Sequence, residues 1–460
     1  MGTSKFVRLA CISAAALLAG AALTDDANAG SFGVREQSAY FQGMSFAGTA
    51  AGGDISSMFW NSAATATLPG FNTSSNATIA FGDADLTATG GSLYGLVPDH
   101  AANNGTDALI PASYASYQLS DRLWAGLAMN APFGFITKPD SYWSGSGVAE
   151  TSKIFSLNLN PTLAYKITPT LTVGAGAQVE YFKIRLTKDA VSANLGQQLG
   201  EQAITPWRSY EADDWGIGAT AGILWQPTSR TSIGLGYRSA VSLEVEGSYK
   251  TSAYREPTLG YAPVDSVRAT ATGKLTLPDE VTFSIRQGLT DRLTMLGTVE
   301  WQGWSRIDNV AAVSSGCANN VCETLNLNYQ DGWKYALGFE YLYSPTLTLR
   351  TGASYEVSPI DDKNRNILIP DSDRIGVSVG ATYKYSDRIT VDFAYSHLFF
   401  DEGTFCIANP KLNGNTSHCS DATIAQAKSL IGTTDVAVDL VSVGLKYKWS
   451  DPVPALEPYK

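Results

Sequence analysis

From residue 71 to the C-terminus the chain alternates apolar with polar or small residues at a period of two, the pattern of strands with one oily face. In residues 231–247 the odd positions carry Ile233, Leu235, Tyr237, Val241, Leu243 and Val245, and the even ones Ser232, Gly234, Gly236, Arg238, Ser242, Glu244 and Glu246. The same alternation fills 171–180, 281–288, 347–357, 375–385 and 389–399. Nearly every predicted element is therefore a strand.

A soluble sandwich also alternates, so the connections decide between classes. Six are tight, around Asp121, Pro169, residues 226–230, Asp291, Pro345 and Asp387. Between them lie long polar stretches at 83–107, 138–150, 188–214, 248–272, 308–328, 358–372 and 403–434. Short turns at one end and long loops at the other characterise outer-membrane barrels. Six turns join twelve strands, and one strand at each end brings the total to about fourteen, an even number as such barrels require. Aromatics suit interfacial girdles: Tyr335, Phe339, Tyr341 and Tyr343 on one strand, Trp215 and Trp225 on another. The last strand ends at Trp449, and residues 450–460 read as a periplasmic tail.

Ahead of the strands, residues 32–68 are rich in Gly, Ala and Ser with scattered large aromatics, and have no sustained period. Too apolar for a solvated tail and lacking a regular face, this stretch needs an enclosure. It is expected to be a plug, residues 30–70, inside a barrel of residues 71–449. Residues 1–29 read as an export signal: Lys5 and Arg8, an apolar run of about a dozen residues, and Ala27-Asn28-Ala29 as the cleavage site. That run is shorter than the roughly 20 residues a spanning helix needs.

Composition narrows the class. Charged residues make up 16% of the chain and mean hydropathy is -0.06, too low for a helical membrane bundle but natural for an apolar belt around a polar lumen. A net charge of -11 argues against nucleic acid as a partner. Of five cysteines, Cys11 leaves with the signal; Cys317, Cys322, Cys406 and Cys419 allow three pairings, of which the local ones, 317 with 322 and 406 with 419, are expected on the oxidising side. His418 has no second histidine at ligand spacing, so no metal site is expected.

Several ordered stretches resemble the FadL-type long-chain fatty-acid transporters and related hydrocarbon channels of bacterial outer membranes. They are Gln37-Ser38 through Asn61-Ser62-Ala63, residues 234–239, Leu277-Pro278-Asp279, residues 300–305, residues 369–374, and Gly444 to Tyr447. The resemblance implies a fourteen-stranded antiparallel transmembrane β-barrel with an N-terminal hatch in its lumen. It also implies uptake of a hydrophobic ligand by diffusion, without cofactor or catalysis. Capture would fall to the loops at 188–214 and 248–272, with a pocket against the hatch and a sideways exit beside a kinked third strand, residues 123–137. That strand contains Asn130, Pro132, Phe133 and Gly134. Proline removes a ladder donor and glycine weakens a strand interior, which fits a lateral gate; the alternative is that they end the strand at the rim. Where the family has Asn-Pro-Ala in the hatch, this chain has Asn61-Ser62-Ala63, and a looser turn is expected.

Candidate ligand-binding residues are Phe41, Phe46, Phe59 and Trp60 in the hatch, with Arg185, Arg238 and Arg350 for a carboxylate head group. The alternative for each arginine is a lumen ion pair with Glu244, Glu246 or Glu356. Ser396 and His397 are adjacent on a strand and point to opposite faces, so they form no catalytic pair. The expected partners are a long-chain fatty acid or another hydrophobic small molecule and outer-membrane lipid, with the protein a monomer. An aromatic-compound channel and a surface adhesin or phage receptor are the rivals.

Overall fold

The computed structural model describes residues 31–91, 94–95, 98–101, 107–139, 143–145, 151–188, 208–251, 266–362, 364–407 and 430–451. Alternation and turns produce a closed ring of fourteen antiparallel strands. They are β1 (Phe71–Gly91), β2 (Ala108–Gln118), β3 (Leu123–Asn130 and Gly134–Thr137), β4 (Thr151–Thr168), β5 (Leu171–Lys188), β6 (Arg208–Thr228) and β7 (Thr231–Arg238 and Val241–Thr251). There follow β8 (Arg268–Leu277 and Glu280–Gly288), β9 (Leu293–Gln302), β10 (Gly332–Ser344), β11 (Leu347–Val357), β12 (Arg374–Lys384), β13 (Ile389–Phe400) and β14 (Leu430–Ser450). β14 pairs back onto β1, from Phe71 with Ser450 to Gly91 with Leu430. The first and last strands thus pair with each other and the sheet closes into a ring, as a wall in lipid requires.

The six tight turns fall where the sequence places them, and most share one device. A Ser or Thr hydroxyl opening the turn accepts from backbone N–H groups two and three residues on: Ser120 from Arg122 and Leu123, Thr168 from Thr170 and Leu171, Thr290 from Arg292 and Leu293, and likewise Ser344 and Ser386.

Ile79, Phe81, Leu163, Ile223, Leu337 and Val443 are exposed on the outward face, the apolar belt a membrane barrel presents to lipid. Trp215, Trp225, Tyr335, Tyr341 and Tyr343 are exposed with them, as girdles should be.

Two expectations change. The long polar stretches are partly strand: β1 runs through Gly91, and the stretch after β9 holds a hairpin of Asn309–Val313 and Val321–Asn326, closed by the Cys317–Cys322 disulfide. The strands rise beyond the apolar belt, where their outward face meets water and polar residues cease to mark a loop. Cys406 is disulfide-bonded, and Cys419, its expected partner, lies outside the described residues, as do residues 1–29, the bulk of the tail, and the greater part of the loops at 188–214 and 248–272.

The stretch ahead of β1 has no period because it is a series of short capped turns. Ser38 accepts from the Phe41 N–H to start the helix α1 (Ala39–Gln42). Asp54 does the same for the 3-10 turn Ile55–Phe59, and Asn61 for Ser62–Ala66. Residues 31–66 are buried almost throughout. They bond to inward-facing groups on strands all round the ring, including Asn76 of β1, Tyr114 of β2, Thr162 of β4, Ser284 of β8, Thr298 of β9 and Ser378 of β12. Glycine lets the segment lie this close: a Cβ on Gly234 or Gly236 of β7 would overlap the carbonyls of Ala50 and Trp60.

Candidate functional site

The four aromatics of the N-terminal segment pack on one another. Trp60 stands edge-on to Phe41 at 5.6 Å and to Phe59 at 4.9 Å, with Phe46 at 6.1 Å. Phe46 has a φ of 66°, a left-handed conformation costly for a bulky residue, and the Lys334 ammonium sits 4.5 Å from its ring. Phe41 and Trp60 thus form the buried body of the nest, and Phe59 stands at its margin, with the Arg238 guanidinium 4.2 Å from its ring.

The three arginines part company. Arg185 is exposed and points outward, opposite Glu211 of β6, whereas its neighbours Phe182 and Ile184 are buried inward. The strand keeps its phase; it is the surroundings that invert, because the upper barrel interior is apolar and its exterior is wet. The same inversion, with the two-residue interruption at Ser239 and Ala240, turns Val241, Leu243 and Val245 inward and leaves Glu244 and Glu246 exposed outside. The oily face of 231–247 is therefore two faces, and neither glutamate pairs with a lumen arginine. Arg350 is buried and ion-paired, with Glu340 at 3.0 Å and Asp392 at 3.5 Å, not with Glu356.

Arg238 differs. It donates to the Phe59 carbonyl at 3.0 Å and to Gln178 Oε1 at 2.6 Å, both neutral acceptors. Of the buried arginines among the described residues, Arg35, Arg350, Arg365 and Arg374 each have a carboxylate partner; Arg238 has none within ion-pair distance.

Pairing of β2 with β3 stops at Ser113 opposite Met129, and β3 resumes at Gly134 paired only to β4. The wall parts above that point, beside Ala131, Pro132 and Phe133. The strand break thus falls within the wall, with four residues of strand beyond it, rather than ending β3. N-terminal residues lie along the break: the Val34 N–H donates to the Pro132 carbonyl (2.8 Å) and the Gly134 N–H to the Phe32 carbonyl (2.9 Å). Gln37 Nε2 donates to the Ala131 carbonyl (2.9 Å), and Asn130 Nδ2 donates to the Tyr114 hydroxyl (2.8 Å) and Gln37 Oε1 (3.2 Å). An enclosed cavity of about 20 Å³ lies between Pro132, Phe133, Phe59, Gln178 and Arg238. That is room for a water molecule, not for an acyl chain.

Sequence reasoning missed the polar clamps on the N-terminal segment. Arg35 donates to Glu300 (2.8 Å), Glu356 (2.6 Å) and Gln302 (2.9 Å), and Arg374 joins the cluster through Glu356 at 2.6 Å. Lys446 bridges Asp54 (2.7 Å) and Asp392 (2.8 Å). Burial pushes the Asp54 carboxyl up, but the Lys446 ammonium outweighs it and holds it below the usual carboxylate range. The available signal was a charged residue at an inward phase in mid-strand, as at Glu300, Glu356 and Lys446.

The stretch Asn61-Ser62-Ala63 is tied down. Asn61 Nδ2 donates to the carbonyls of Ala50 (2.7 Å) and Ile223 (2.9 Å), and its Oδ1 accepts from the Ala63 N–H (2.9 Å). Ser62 Oγ donates to Thr220 Oγ1 of β6 at 2.7 Å, so the looser turn expected from losing a proline is countered by a bond to the wall. Ser396 is buried against Ser378, while His397 faces outward against Asp439; the two side chains are on opposite faces, as alternation requires.

The family model described as "Outer membrane protein transport protein (OMPP1/FadL/TodX)" matches residues 20–449. The chain is 29% identical over 418 residues to the 47 kDa outer membrane protein of Pasteurella multocida, covering 88% of this chain and 94% of that protein. It is 28% identical over 339 residues to a long-chain fatty acid transport protein of Escherichia coli, covering 69% and 75%. In fold it resembles a Pseudomonas aeruginosa FadL homologue, with a TM-score of 0.77 at 21% identity, covering 91% of this chain and all of that one (100%). It also resembles the toluene transporter TbuX of Ralstonia pickettii, with a TM-score of 0.64 at 18% identity, covering 91% and 99%. With the closed barrel, its apolar belt and a match along nearly the whole chain, the protein belongs to the OMPP1/FadL/TodX family of outer-membrane transport proteins.

Proposed function

We propose that this protein is a passive outer-membrane channel for long-chain fatty acids or similar hydrophobic molecules. The N-terminal segment acts as its hatch and the break in β3 as its lateral exit. The observation that carries the fatty-acid reading is Arg238. A buried cation without a carboxylate is costly and ready to accept one, and this one lies against Phe59 in the cavity that borders Pro132 and Phe133. Glu280 of β8, the cross-strand neighbour of Arg238, also lines the cavity but accepts from Thr282 and Gln302 instead, so a fatty acid supplies a carboxylate that reaches the guanidinium and an apolar chain for the gap in the wall. The outer loops make the first capture, and the apolar interior above the hatch, including Phe182, Val241, Leu277 and Trp304, holds the chain on its way down. Because the cavity has room for no more than a water molecule, Phe59 and Phe133 move when ligand enters.

Kinship in fold to toluene transporters keeps a second reading, a hydrocarbon channel, in which no arginine is needed. Replacing Arg238 with Gln separates the two. Oleate binding to the purified protein is expected to weaken by about tenfold, the value of one charge-assisted contact, while binding of a matched alkane stays the same. Equal binding of both ligands before and after the substitution would favour the hydrocarbon reading.

A further inference from the structure

The wall has a second discontinuity, on the other side of the same cavity. β6 and β7 pair from Thr228 with Thr231 up to Thr220 with Arg238, and again from Asp213 with Glu246 to Arg208 with Thr251. Between these zones the Ser239 N–H donates to the Ala219 carbonyl at 2.8 Å, and no backbone hydrogen bond joins residues 214–218 to residues 240–245. Side chains take over the missing ladder. Gln178 Nε2 donates to the carbonyls of Ala219 and Ser239, each at 3.2 Å. Ser239 Oγ accepts from the Ala219 N–H (2.8 Å), and Asp214 Oδ2 accepts from the Glu244 N–H (2.7 Å).

The outer face is apolar at Trp215 and Ile217 and meets water toward Glu244; unpaired backbone on the apolar side is expensive, so a seam closed by polar side chains is a built feature of the wall. Its inner side is covered by Val241 and Leu243 leaning over Gly216, where any Cβ would overlap Val241. Its outer side carries Trp215 and Ile217, 61% and 77% exposed. Through the ladders of β4, β5 and β6, Ser156 aligns with Phe182 and Phe182 with Asp214. The β3 break, whose Phe133 N–H donates to Ser156 Oγ, and this seam therefore lie on one row of ladder partners. Gln178, Ser239 and Val241 border the same cavity as Pro132 and Phe133.

We propose that the seam between β6 and β7 is a second lateral passage, through which the apolar chain of a ligand held at Arg238 slips between Val241 and Gly216 to the lipid beside Ile217. Gln178 is its latch. It holds the two carbonyls of the seam and the Arg238 guanidinium together, so a carboxylate that takes over Arg238 frees the amide. This rests on the transport reading above.

The test is a disulfide across the seam, Gly216→Cys with Val241→Cys, in cells lacking a fatty-acid transporter of their own. Uptake of radiolabelled oleate is expected to fall to roughly half when the pair is oxidised, as closing one of two parallel exits does, and to recover on reduction. That recovery, with unchanged heat-modifiable mobility of the barrel, guards against misfolding. Gln178→Leu, which leaves the fold bonds of β5 intact, is expected to raise uptake. Equal uptake in the oxidised and reduced forms, with wild-type uptake saturable, overturns the second passage and leaves the transport reading standing. Absence of saturable uptake by the unaltered protein overturns both.

Discussion

Asn61 satisfies three backbone groups at once: it caps the turn Ser62–Ala66 through the Ala63 N–H and holds the carbonyls of Ala50 and Ile223. Ser62 beside it makes one bond, to Thr220. The two positions should therefore respond very differently. Asn61→Ala is expected to destabilise the seated segment by about 2 kcal/mol, seen as roughly thirtyfold faster hydrogen exchange at residues 55–66. Ser62→Pro removes a bond of about 1 kcal/mol, but it places proline at the first position of a helical turn, where its fixed φ is already suitable, and regains a similar amount from the unfolded chain. Unchanged exchange and uptake are expected for Ser62→Pro. A large loss would show that the hydroxyl, not the turn, secures the N-terminal segment.

At the scale of the element, β3 is the strand whose pairing matters most to the proposed exit. Pro132 withholds a donor and Gly134 lacks a side chain to pack, and the segment's Val34 and Phe32 fill in along the break. Pro132→Ala combined with Gly134→Val allows β3 to run straight. Oleate uptake is expected to drop to roughly half with the heat-modifiable mobility of the barrel unchanged, and full uptake in that variant would place the exit elsewhere. The strands were legible from alternation, and the turns from their Ser or Thr start. What alternation did not give was the direction of each face along a strand that passes from an apolar belt into water. Arg185 and Glu244 were assigned to the lumen on that ground, and both are outside.

For the molecule as a whole, the ring of strands closes on itself through β1 and β14, so its ladder does not depend on what fills it. Polar clamps such as Arg35 with Glu300 and Glu356, and Lys446 with Asp54, hold the segment in rather than holding the barrel together. Deleting residues 31–66 is expected to leave a heat-modifiable barrel that conducts ions in a planar bilayer, whereas little conductance is expected of the intact protein. A barrel that fails to form would mean the segment is part of the folding core.

The sequence alone determined the strands, the six turns, the count of fourteen and the odd, aperiodic segment that had to go inside, because period and turn chemistry are local properties of the chain. Asn61 and the inward glycines were visible in it too, though not what they touch. Only the tertiary structure decided which arginine lacks a carboxylate, that β7 swaps its oily face at Ser239 and Ala240, and that two gaps in the wall meet at one cavity. Those facts depend on partners far apart in the chain, such as Arg35 with Glu356 and Gln178 with Ser239, and on how polarity changes with height inside the barrel. A one-dimensional pattern repeats the same way in lipid and in water, and so it carries neither.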